Sequence, residues 1–247
     1  MELLLFHSLI ALHIVTGSTG AIAFWVPVIG RKGGVNHKKW GRIFTVALLA
    51  TGSFAICMSL MTLADPFGTH PHLEGRFDAE FIRGMFGWMM LHTGILTINL
   101  TWYGWLCVRN GMRHAANRTP LNIALQYVVM VAALACAIEG WRIDQPLMMA
   151  IAVVGVATGL TNLWFLHKPS ITRADWLKEH IKALVGAGIS VYTAFMAFGS
   201  VRVFPELALN PIMWSIPLAV GLAIIIWHRF AVDRAARGQR PGMRATA

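Results

Sequence analysis

Ten histidines are the residues of this 247-residue chain best placed to do chemistry. His13 and His92 matter most, because each lies about ten residues inside a long apolar stretch. At 1.5 Å of rise per helical residue, both sit ~15 Å below the same surface, near mid-bilayer. An ionisable side chain at that depth is costly and normally faces the interior of a helix bundle. Neutral imidazole ligates haem iron, copper and zinc, so His13 and His92, on helices running the same way, are candidate cofactor ligands. A second group lies at the basic end of the helices. His37 opens the run His37-Lys38-Lys39-Trp40-Gly41-Arg42, and His180 follows Glu179 one turn into the sixth apolar stretch. His37, His180 and Glu179 form a candidate metal or proton-handling site. His114 and His167 flank other basic connections, and His70-Pro71-His72 with Glu74 occupies the longest connection at the opposite end.

The elements that must position these residues follow from composition. With 56% hydrophobic and 13% charged residues, the chain is too apolar for an ordinary soluble domain. Crossing a bilayer takes ~20 mainly apolar helical residues. Seven segments qualify: 4–29, 41–64, 82–108, 121–140, 147–166, 177–200 and 209–229. The expected fold is all-α, a polytopic bundle of seven transmembrane helices. Residues 1–230 form the membrane domain, and 231–247 form a basic, disordered tail. The first stretch is preceded only by Glu2, with no basic leader, and is expected to be a retained helix and no signal peptide.

The connections sort by charge. Arg31, Lys32, Lys38, Lys39 and Arg42 lie in the first, Arg109, Arg113 and Arg118 in the third, and Lys168, Arg173, Lys178 and Lys182 in the fifth. The tail adds Arg229, Arg234, Arg237, Arg240 and Arg244, which brings seventeen of the 21 cations to one side. Cations are retained in the cytoplasm, so the N-terminus is expected outside and the C-terminus inside. The formal charge of +10 therefore marks topology and anionic lipid headgroups as partners, and not nucleic acid. Most tryptophans fall at predicted span ends, where the indole anchors to the interface.

Much chemistry is excluded. Cys57, Cys107 and Cys136 lie singly within apolar stretches, which fits neither a disulfide framework nor a compact thiolate metal site. The chain has no nucleophile elbow, phosphate loop, zinc-protease helix or dinucleotide fingerprint. The last span lacks the lysine a retinal Schiff base needs.

Leu12-His13-Ile14-Val15-Thr16-Gly17, then Arg31-Lys32-Gly33-Gly34 and the His37–Arg42 run, resemble a family of bacterial multi-pass inner-membrane proteins. That family carries a first-span LHxxxG and a basic H-[KR]-x-x-G-R loop. Glu179-His180-Ile181-Lys182-Ala183-Leu184-Val185-Gly186-Ala187 resembles its sixth-span pattern. The resemblance covers the first and sixth spans, places His13, His37 and His180 in shared motifs, and implies a bacterial inner membrane without naming an activity. The function expected first is a redox or metal-handling membrane protein using histidine ligands, with haem or a transition metal as cofactor. A small-solute or proton-coupled transporter is the alternative. A non-catalytic membrane subunit is the third, and a homo-oligomer or partner subunit suits any of them.

Overall fold

The computed structural model describes residues 2–196 and 211–238. These residues form seven long helices: α1 (Glu2–Ile29), α2 (Val35–Ala64), α3 (Met89–Asn110), α4 (Pro120–Arg142), α5 (Pro146–Leu166), α6 (Arg173–Ala194) and α7 (Pro211–Gly238). A π-helical turn, Arg83–Trp88, and the short helix Ala79–Ile82 continue α3 upstream. No strand occurs among the described residues.

Local chemistry sets the helix starts. Pro120 and Pro146 occupy first-turn positions, where a missing N–H costs nothing. The Thr119 hydroxyl accepts from the Asn122 N–H at 3.2 Å to cap α4. Thr172 and Asp175 cap α6 reciprocally in a capping box. Two helices outrun the apolar stretches that predict them. Residues 36–39 are polar yet lie in the first turns of α2, and α7 continues through Asp233 to Gly238. The part of the expected tail from 231 to 238 is therefore helical, as its Ala and Arg content favours. Residues 239–247 lie outside the described residues, as do 197–200 of the sixth expected span.

Five helices are long and apolar enough to cross a membrane: α1, α2, α4, α5 and, over Met213–Arg237, α7. The two others carry polar side chains within the packed bundle, His92, Thr97, Asn99 and Thr101 on α3 and Lys178, Glu179, His180 and Lys182 on α6, and the packing accommodates them. α3 is central, touching α2, α4, α5 and α6, while α6 packs on α3, α7 and α1. A helix enclosed by other helices need not be apolar all round. The burial pattern is inverted relative to a water-soluble protein. Leu4, Val15, Ile22, Val131 and Val153 are exposed, while His92, Asn99, Gln126 and Asn162 are fully buried. α2 and α3 approach closely at Gly52 and Gly94. A Cβ on Gly52 would lie 3.0 Å from the Gly94 carbonyl oxygen, and one on Gly94 would lie 3.2 Å from that of Gly52.

Candidate functional site

The densest buried polar chemistry lies where α3, α4 and α5 meet. Asn162 of α5 donates from Nδ2 to Gln126 Oε1 of α4 at 3.0 Å, with Asn99 Oδ1 of α3 at 3.4 Å. Gln126 Nε2 donates to the Asn122 carbonyl at 2.9 Å. Asn122 Nδ2 donates to the Asn117 carbonyl at 2.7 Å, and Asn110 Nδ2 donates to Asn117 Oδ1 at 2.7 Å. Six amide side chains thus run as one hydrogen-bonded chain from the middle of the bundle to the α3–α4 connection. Asn99 Nδ2, Asn162 Oδ1 and Asn117 Nδ2 have no protein partner, and buried polar atoms of this kind are where water or a small polar ligand binds.

His92 lies one layer above the amides. It is seven residues from Asn99 on α3, as Gly155 is from Asn162 on α5, so each pair shares a helix face ~10 Å apart. The fully buried His92 ring packs against Gly155, where a Cβ would come within 2.7 Å of Nε2. The Ile151 carbonyl lies close to the ring. Neither ring nitrogen completes a hydrogen bond.

Next in sequence to Asn110 and Asn117, the α3–α4 connection borders an open surface depression of about 610 Å³, lined by Met112, Arg113, His114, Pro169, Ser170 and Ile171 among others. His114 stands edge-on to Phe165, with ring centroids 4.9 Å apart. Burial holds its pKa below the ordinary value, with Arg118 adding to the effect and the carbonyls ending α5 opposing it. Arg118 satisfies those carbonyls, donating to Leu166 O at 2.5 Å and Lys168 O at 2.7 Å.

The structure does not bring His13 and His92 together. His13 donates from Nδ1 to the Thr51 carbonyl of α2 at 3.1 Å, and Thr51 Oγ1 bonds Thr16 Oγ1 at 2.9 Å. The next residue, Gly52, abuts Gly94 of α3. The α2 backbone therefore stands between the two histidines, and that contact leaves no room for a porphyrin.

His37 and His180 do come together, with ring centroids 6.4 Å apart. Each donates from Nδ1 to a carbonyl: His37 to Pro27 O at 3.2 Å, His180 to Gly104 O at 3.4 Å. Pro27 O lies in the last turn of α1 and also accepts from Lys32 Nζ at 2.9 Å, so His37 helps to close that helix end. Glu179 is not turned to this pair. Its Oε2 accepts from the Tyr103 hydroxyl at 2.8 Å and pairs with Lys182 Nζ at 2.5 Å. No cluster of three or more His, Cys, Asp or Glu side chains able to hold a metal occurs among the described residues.

At the opposite end, His70 is half-buried against Phe86 and Phe6, with centroids at 4.6 and 5.3 Å, while His72 is exposed. Burial, with the nearby His72 adding to it, pulls the His70 pKa from 6.5 down to about 4. Its neutral form is the one the fold favours. Stability linked to His70 is therefore complete above pH 6.5 and declines as pH falls toward 4. Thermal melts of detergent-solubilised protein across that window are expected to fall less steeply for His70→Phe than for wild type. Parallel slopes would remove His70 as a source of acid lability.

Charge and metal-ligand chemistry lead to the histidines and pass over the amides. The available signal was the presence of Asn99, Gln126 and Asn162 deep within apolar stretches, where any polar side chain marks a site. Comparison with protein-family models, curated proteins and solved structures finds no match for the chain.

Proposed function

We propose that this protein is a proton-coupled small-solute transporter of the bacterial inner membrane. It is read as seven spans with the N-terminus outside and the C-terminus cytoplasmic. Five apolar helices and the gathering of cations on alternate connections support that placement. The single observation that carries the functional reading is the buried amide chain leading from the α3–α4 connection at the basic end to the layer beneath His92.

His92 is the ionisable group directly above that chain. It is the group suited to hold a proton, and the amides and the water they bind form its route to the cytoplasm. At the other end the fully buried Met85, Met89, Cys136 and Met148 lie over His92, and an asymmetric path of this kind suits alternating transport. The bis-histidine haem reading loses support, because the α2 backbone separates its two ligands.

Purified protein in liposomes, driven by a potassium diffusion potential, tests the reading through an internal pH dye. Potential-driven proton uptake is expected in wild type, and a fall to the protein-free level in His92→Ala and Gln126→Leu. Vesicles that stay as tight with wild type as without protein would leave a non-catalytic subunit as the better description.

A further inference from the structure

Above His92 the same three helices carry a layer of sulfur. Met85 and Met89 come from the π turn and the start of α3, Cys136 from α4 and Met148 from α5, and all are fully enclosed. They form one contiguous buried cluster whose fifth member is Trp214. The buried members of the larger core cluster include one sulfur, Cys107, with Met130 half-buried against them. Sulfur is therefore concentrated in one place. A thioether fills a core no better than Leu and costs more side-chain entropy to hold, so packing alone does not call for the concentration.

The surroundings fit the chemistry. Met85 lies within a π turn, a rare irregularity found at functional sites. The Cys136 thiol lies 3.7 Å from the Met148 carbonyl oxygen. Ile151 packs against the cluster, and its carbonyl lies close to the His92 ring, so His92 forms the floor of the layer. His92 is fully buried and has neither nitrogen hydrogen-bonded.

We infer that Met85, Met89, Cys136 and Met148 bind a soft monovalent metal ion, Cu(I), as the solute that the transporter carries. Thioether and thiol ligands select Cu(I) over the harder divalent ions. Three neutral thioethers and one thiolate also balance a single positive charge, whereas a divalent ion would leave net charge in a medium that penalises it. Binding forms the S–Cu bond at Cys136 and breaks its S–H bond. No electron moves, and the released proton leaves by way of a His92 ring nitrogen and the amide chain to solvent. The coupling of metal to proton rests on the transport reading above, while the metal site stands without it.

The test uses the full-length protein in detergent with Ag(I), a redox-inert probe of the same ligand preference. One Ag(I) per chain is expected, with about one proton released per ion. Met85→Leu/Met148→Leu, which keeps core volume, is expected to melt like wild type yet bind Ag(I) at least about tenfold more weakly. Cys136→Ser is expected to abolish the proton release. Wild-type protein that binds no Ag(I) overturns the proposal. So does equal affinity in the methionine variant, or binding lost only in His70→Ala/His72→Ala. Ag(I) binding with these properties alongside proton uptake that ignores His92→Ala would keep the metal site and remove the proton path. The converse pair of results would do the opposite.

Discussion

Glu179→Ala is expected to lower stability by about 3 kcal/mol, the cost of breaking a buried ion pair from one side. The carboxylate is nearly buried and serves two donors, the Tyr103 hydroxyl at 2.8 Å and Lys182 Nζ at 2.5 Å. Its removal orphans a hydroxyl on a fully buried tyrosine and leaves the Lys182 ammonium uncompensated, held over the Tyr103 ring at 5.7 Å. Tyr103→Phe removes one hydrogen bond and leaves the ion pair, so it is expected to cost only about 1 kcal/mol. Glu179→Gln falls between them, because the amide oxygen still accepts from Tyr103 but no longer balances Lys182. The order Ala, Gln, Phe in melts of detergent-solubilised protein checks the assignment. A chelator is expected to leave the wild-type melt unmoved, because this carboxylate joins α3 to α6 through Tyr103. A harmless Glu179→Ala together with a chelator-sensitive wild type would return Glu179 to the metal ligands.

How much of this was legible in the sequence depends on what a linear pattern encodes. Hydropathy located the helices well where the bilayer and the helix end together. The expected 121–140 and 147–166 became Pro120–Arg142 and Pro146–Leu166. It falls short where a helix runs past its apolar stretch, as at Val35 and beyond Phe230, because helix formation does not require apolar sequence. Spacing gives the depth of a residue along its helix but not the direction in which it points. His13 and His92 share a depth, yet one faces Thr51 and the other Gly155. His37 and His180 lie with ring centroids 6.4 Å apart, as residues at the same basic end of the bundle can. Glu179 is adjacent to His180 in sequence, yet consecutive helical residues point ~100° apart. The amides carry no charge, so neither net charge nor metal-ligand spacing marks them in the sequence. The methionines are unmarked too, because a thioether in an apolar run looks like core, and only their convergence from three helices sets them apart.

Gly155→Ala gives the sharpest test of the layer that joins the sulfur cluster to the amides, because its effect is expected to change sign with the residue at position 92. In wild type the new methyl group would sit within 2.7 Å of His92 Nε2 and closer still to Cε1, with the Ala133 methyl 3.0 Å away. The ring is fully enclosed and has no solvent to retreat into. Overpacking of this kind costs about 2 kcal/mol. It outweighs the gain of up to about 1 kcal/mol that Ala brings over Gly in a helix interior. With His92→Ala already made, the obstructing ring is gone, the Ala133 methyl has only a few tenths of an ångström to yield, and the propensity gain remains. The same substitution is then expected to be neutral or stabilising, which gives a coupling energy of about 2 kcal/mol in a double-mutant cycle of unfolding. Additive effects would mean that the ring does not occupy the niche that Gly155 provides. His92 would then no longer form the floor of the sulfur layer, and the route from Cys136 through His92 to Asn99 and Asn162 would lose its middle step.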